Sequence, residues 1–375
     1  MTAADVSDVL GAIIQDVVEP AAPTIDTTGA FPREGVTALG EAGLLGLTSS
    51  IDVGGMGLGL REASQVVRTL AAACGSTAMV VSMHYCAVAA IEQFGPEDIR
   101  RAIASGAHLS TLAFSETGSR SQFWAPLGTA ALSPTEVRLD ASKSWVTSAG
   151  EADSYVWTSR PASGADGATL WLVPADAAGL QIGEGFDGLG MRGNASSPVS
   201  GTDVRLPLSA RLGEDGAGLD IALGVVLPVF QILNASCSVG LMDAAVTAVI
   251  GHVTAARFAH LDQSLAEQPV IRQHVASLKD DADSAATLVD DAVSALTDGR
   301  PDAPLRMLQS KAVAAEAATR VLDQAMRVGG GAAFRKETGI ERRFRDARAA
   351  AVMAPTTDAL QDFIGRALCG LPLFG

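Results

Sequence analysis

The chain reads as an α+β protein of several domains: helices first, then a block of short strands, then helices again. Three observations carry this. Up to about residue 110, and again from about 216, apolar side chains recur three and four apart, the spacing of one buried helix face. Between about 111 and 215 short β-rich runs alternate with Pro, Gly, Asp and Ser clusters. At 375 residues the chain can hold one large core or two to three coupled domains. The expected divisions are a helical domain over 1–110, a β domain over 111–215 and a helical domain over 216–375.

In the first division, Ala63, Val66, Val67, Leu70 and Cys74 define one face of a helix. The preceding loop, Val53–Gly59, holds four glycines in seven residues and is expected to be a tight connector between helices. In the middle division, strands are expected at Glu136–Leu139, Ser144–Ser148, Tyr155–Ser159, Thr169–Val173 and Val204–Leu208, arranged as a sandwich or small barrel. All four tryptophans (Trp124, Trp145, Trp157, Trp171) fall here, and large aromatics are core by default. In the last division, Val275, Leu278, Ala282, Ala285, Val289, Ala292 and Leu296 form the stripe of a long helix whose alanines allow close helix packing, in a bundle or between subunits. Gly329, Gly330 and Gly331 read as a helix C-cap. A last helix carries Leu360, Phe363, Ile364, Ala367 and Leu368 on one face, with Thr356 or Thr357 as its N-cap.

Composition narrows the function. A net charge of −15 argues against a nucleic-acid partner, which needs a concentrated positive surface. No apolar run reaches the roughly 20 residues of a membrane span, because Val225–Leu233 is soon followed by Asn234 and Ser236. The N-terminus has early acids and no basic segment, so a secretory signal is not expected. Cys74, Cys86, Cys237 and Cys369 are scattered among apolar neighbours and read as buried free thiols of a cytoplasmic protein. No His, Cys, Asp or Glu grouping has metal-ligand spacing, and His84 and His260 read as core or surface residues without a catalytic role.

Six stretches, in order, resemble the acyl-CoA dehydrogenase family over nearly the whole chain. They are PREGVTALGEAGLLGL with VGGMGLG, LAFSETGSRS, LDASKSWVTSAGEADSYVW, FDGLGMRGNASSPVSGTDVRLP, and the glycine triplet followed by ERRFRDAR. The resemblance implies an α domain, a β-barrel domain and a four-helix α domain, with FAD between them, in a homodimer or homotetramer. It also implies flavin contacts at Ser115, Ser121, Trp145 and Thr147. From the residues alone, Trp145 and Thr147 share one face of a strand. Arg257 is the counterpart of an arginine that reaches the FAD pyrophosphate of a neighbouring subunit. Gly329 and Gly330 correspond to a cofactor contact across the dimer, with Met326 where the family often has Gln. Arg345, Asp346 and Arg348 are expected to form an internal ion network.

In this family a carboxylate removes the α-proton of an acyl thioester while the flavin accepts the β-hydride. The two positions at which that carboxylate stands align with Ala354 and Phe230. Neither side chain can accept a proton, and Asp358 reads as a partner of the last helix's N-terminus. No catalytic residue is therefore assigned. Three functions follow from the resemblance: a flavin dehydrogenase acting on an acyl thioester, a flavin monooxygenase on the same fold, or a non-catalytic partner subunit.

Overall fold

The computed structural model describes residues 3–120 and 122–373. The N-terminal region holds α1 (Ala3–Ile13), α2 (Glu19–Thr28), α3 (Arg33–Glu41), α4 (Leu60–Ala73), α5 (Gly75–Phe94) and α6 (Glu97–Ala104). The expected face of α4 is buried, and α5 is buried on nearly every side because it runs through the middle of the molecule. The glycine loop before α4 packs on its own chain: a Cβ on Gly55 would lie 2.2 Å from the Ser49 carbonyl oxygen. It is a connector, as expected.

Eight strands follow: β1 (Ser110–Ala113), β2 (Thr129–Leu132), β3 (Glu136–Val146), β4 (Ser154–Ser159), β5 (Thr169–Pro174), β6 (Leu180–Ile182), β7 (Ser197–Pro207) and β8 (Arg211–Leu212). They form two four-stranded sheets, ordered β1-β4-β5-β8 and β2-β3-β7-β6, antiparallel except for the parallel pair β1 and β4. Two separately expected strands are one. Glu136–Leu139 and the start of Ser144–Ser148 are both in β3, because Ala141 and polar Ser142 continue its ladder against β7. Trp157 and Trp171 are buried in the core as expected, but Trp124 is half-buried, edge-on to Phe363, and Trp145 is 69% exposed.

The C-terminal region holds α7 (Gly218–Ile221), α8 (Leu227–Ala255), the short strands β9 (Arg257–Phe258) and β10 (Gln263–Ser264), α9 (Pro269–Thr297), α10 (Ala303–Ala333), α11 (Ile340–Asp346), α12 (Arg348–Val352) and α13 (Thr357–Leu368). Helices α8, α9, α10 and α13 pack as a bundle, with α4 laid along α8. Asn234 and Ser236 do not break the apolar run. Helix continues from Gly218 to Ala255, long and apolar enough to cross a membrane, with two thirds of its most apolar window buried inside the protein. The Ser236 hydroxyl is absorbed internally, donating to Ile232 O at 2.7 Å. The glycine triplet does not end its helix. Gly330 alone leaves the helical region (φ +53°) and the helix resumes to Ala333; Gly329 allows close approach, since a Cβ there would be 2.6 Å from that of Ala333. Thr356 caps α13 by accepting from Ala359 N at 3.3 Å. Three cysteines are buried; Cys369, at the end of α13, is exposed. One contiguous hydrophobic core joins helices and sheets.

Candidate active site

A cavity of about 970 Å³ opens where the three regions meet. Its apolar floor includes Met83, Leu112, Phe114, Val226 and Phe230. One wall is polar and comes from the sheets: Ser115, Ser144, Thr147, Asn194 and Ser196. The opposite wall is the C-terminal stretch containing Arg345, Arg348, Val352, Met353, Ala354 and Pro355.

The β wall owes its shape to a bulge. Lys143 pairs with Val199 and Val146 with Ser197, so β3 carries one residue more than β7 between those pairs. Trp145 sits in that bulge at φ +55°. The expectation that Trp145 and Thr147 share one strand face is therefore corrected: the extra residue breaks the alternation, and Thr147 lies just beyond the strand. Both nevertheless reach the cavity. The Trp145 indole stands exposed, edge-on to Phe186 at 6.2 Å between ring centres. Thr147 is buried, its hydroxyl 3.2 Å from that of Ser196. The neighbouring Ser148 hydroxyl is buried without a partner among the described residues. A flat aromatic flank beside the hydroxyls of Ser115, Ser144, Thr147 and Ser196 suits a planar heteroaromatic ring with polar edges.

Of the described residues lining the cavity, one is acidic: Glu116. It is fully engaged. Its carboxylate accepts from Lys143 Nζ at 2.6 Å, from Leu127 N, and from Gly128 N at 2.9 Å. Lys143 also donates to Thr158 O and meets its Oγ1, both at 2.7 Å. Burial lowers the Lys143 pKa to about 8 against the opposing pull of Glu116.

The three regions are pinned together beside the cavity. Arg345 donates to both carboxylate oxygens of Asp26 on α2 (2.8 and 2.6 Å), to Glu341 at 2.8 Å and to Leu189 O at 3.1 Å. Asp346 accepts from Met191 N at 2.6 Å. A Cβ on Gly190 would lie 2.4 Å from the Arg345 backbone, so only glycine lets this turn sit so close. Burial pushes the Asp346 carboxyl up to about 6. Asp26 is also pushed up by burial, but the hydrogen bonds and charge of Arg345 outweigh this and leave it below the usual carboxylate range. The expected ion network is thus corrected in its membership. Arg345 pairs with Asp26 and Glu341, Asp346 serves a backbone amide, and Arg348 lies over the Phe344 ring at 4.2 Å with no carboxylate partner among the described residues.

Comparison with known proteins decides the lineage. Residues 3–106, 111–204 and 216–369 match the N-terminal, middle and C-terminal domains of acyl-CoA dehydrogenase in turn. The chain belongs to the acyl-CoA dehydrogenase family. A probable acyl-CoA dehydrogenase of Bacillus subtilis is 27% identical over 359 residues, 94% of this chain and 93% of that protein. Butyryl-CoA dehydrogenase from Megasphaera elsdenii superposes with a TM-score of 0.92 at 22% identity, covering 98% of this chain and 99% of that one. PigA, solved with FAD and proline, superposes with a TM-score of 0.89 at 19% identity, covering 97% of each chain.

Within this acyl-CoA dehydrogenase fold the expected site residues divide. Ser115, Trp145 and Thr147 line the cavity. Ser121 lies outside the described residues. Arg257, Gly329 and Gly330 are not among the lining residues: Arg257 is exposed on the β9–β10 hairpin, donating to Asp262 O at 2.7 Å, and the glycines sit near the end of α10. Ala354 and Phe230 both face the cavity. Sequence reasoning missed Lys143 and Lys311, the two buried lysines. The available signal was their setting: Lys311 shares a helix face with Met307, Leu308, Ala314 and Ala315, where a solvated lysine does not belong.

Proposed function

We propose that this family member is an FAD-dependent oxidoreductase acting on an acyl thioester, carried by CoA or a carrier protein, without a carboxylate base from its cavity wall. The observation that carries the reading is the pairing of the two walls. An exposed indole and the Thr147–Ser196 hydroxyl pair face a C-terminal stretch containing Ala354, the residue that the resemblance aligns with the base and that can accept no proton. In this reading Ser115, Ser121, Trp145 and Thr147 hold the flavin, which supplies a two-electron acceptor when bound. A second copy, in a homodimer or homotetramer, brings Arg257, Gly329 and Gly330 to the cofactor, and the enzyme is cytoplasmic. α,β-Dehydrogenation then suits a thioester whose α-proton is acidic enough to be lost without a positioned carboxylate.

A second reading, oxygen-dependent hydroxylation, is favoured by one fact: the single acid among the described residues lining the cavity, Glu116, is locked to Lys143. It needs no α-proton acceptor. Anaerobic titration with a panel of acyl-CoAs, run beside reductant-driven oxygen consumption, separates the two. Flavin bleaching by a thioester supports dehydrogenation; thioester-stimulated oxygen uptake supports hydroxylation. The purified protein is expected to be yellow or to become so with FAD, and lack of flavin binding would sink both readings. Ala354→Glu is expected to raise acyl-CoA oxidation by roughly 10²-fold or more, the usual contribution of a positioned base. No gain in a folded variant would remove Ala354 from the base position.

A further inference from the structure

Lys311 on α10 is fully buried. Its ammonium donates to three backbone carbonyls, Ala350 O at 2.9 Å, Met353 O at 3.0 Å and Pro355 O at 2.8 Å. An ammonium has three donors, and here each has an acceptor. All three carbonyls belong to the stretch running from α12 into the turn before α13, which includes the C-terminal wall of the cavity. The two residues flanking Ala354 are thus tied to Lys311 through their backbones. The same ammonium lies 5.9 Å from the centre of the Phe230 ring. One cation therefore stands behind both wall positions at which a proton acceptor would be expected.

This cation has no carboxylate beside it among the described residues. Burial alone lowers its pKa, to about 7, and no neighbouring charge contributes. The backing of the wall is polar elsewhere too: Asn234 Nδ2 reaches Met353 Sδ at 3.5 Å, while Asn234 Oδ1 and both amide atoms of Gln231 are buried without partners. A buried charge without a counter-ion acts over longer range than a paired one, because no adjacent opposite charge cancels its field. The nearby cavity guanidinium of Arg348 has the same sign and is likewise unpaired.

We infer that Lys311 is a positioning residue of the cavity: it fixes the Ala350–Pro355 wall and biases that end of the cavity towards a ligand carrying negative charge, such as a thioester in its enolate form. The inference rests on the thioester reading above. It also fits a wall that supplies no carboxylate, since a substrate that ionises readily does not require one.

The test compares two probes on the FAD-loaded full chain. Acetoacetyl-CoA ionises readily to an enolate, whereas butyryl-CoA stays neutral. Binding of each is followed by perturbation of the flavin absorbance in wild type and in Lys311→Met, with flavin content recorded for both. The expected result is that Lys311→Met weakens acetoacetyl-CoA by about tenfold or more, and butyryl-CoA by less than about threefold. Equal weakening of both probes, or no change in either, overturns the inference. If neither probe perturbs the wild-type flavin, the thioester reading falls and this inference with it. Should Lys311→Met not fold, Lys311→Gln, which keeps two donors but no charge, is read by the same criterion.

Discussion

Two buried lysines flank one cavity and are stabilised in opposite ways. Lys143, in the β region, has a counter-ion: Glu116 at 2.6 Å, with two backbone amides completing the carboxylate's partners. Lys311, in the helical bundle, has carbonyl dipoles and the Phe230 ring but no carboxylate among the described residues. The first cation is neutralised where it stands. The second, while protonated, has no counter-ion to cancel its field. Replacing one partner of a buried ion pair strands the other, whereas removing a lone buried cation removes a desolvation cost along with its hydrogen bonds. The two sites should therefore respond differently to the same substitution.

The largest effect is expected at the paired site. Lys143→Met should destabilise the protein by roughly 3–5 kcal/mol, because Glu116 is left buried and uncompensated; urea unfolding measures it. Adding Glu116→Gln should recover part of that loss, and no recovery would mean that the charge is not what Lys143 answers. Lys311→Met should cost less, roughly 1–3 kcal/mol for its stranded carbonyls, by the same assay. A cost as large as that of Lys143→Met would break the comparison. The pH dependence sharpens it. Burial lowers the folded Lys311 pKa to about 7, while the unfolded side chain titrates near its ordinary value of 10.5, so between these values the unfolded chain binds more protons and stability rises with pH. Wild type should gain on Lys311→Met as pH is raised from 7 to about 9.5, seen as a widening or sign change in the difference of urea midpoints. The smallest effect is expected at an exposed pair: Lys279→Ala, which breaks a contact with Asp283 on the surface of α9, should shift stability by less than about 0.5 kcal/mol.

Much of the architecture was legible from periodicity. The stripe on α9 and the face of α4 are buried as their spacing requires, since a helix of 3.6 residues per turn has few other ways to hide those side chains. Features that break a period were not legible. The β3 bulge puts Trp145 and Thr147 in places that strict alternation forbids, and nothing in SKSWVT marks the extra residue. Strand β1 was missed because Ser110–Ala113 is buried on both faces and so shows no alternation. The register of Ala354 and Phe230 could be read, and both face the cavity. Their common neighbour could not, because Lys311 lies 43 residues from one and 81 from the other in sequence. Only the folded bundle brings α8, α10 and the turn after α12 together.

Asp26 and Arg345 are separated by 319 positions, and Met191 and Asp346 by 155. Both contacts border the cavity, so its walls are shared between the beginning, the middle and the end of the chain. During synthesis from the N-terminus, α2 and the β region emerge long before their partners on α11. Until residue 346 leaves the ribosome, Asp26 lacks its arginine and the Met191 amide lacks its acceptor. The cavity therefore cannot close until α11 has been synthesised, and whatever fills it arrives after that point.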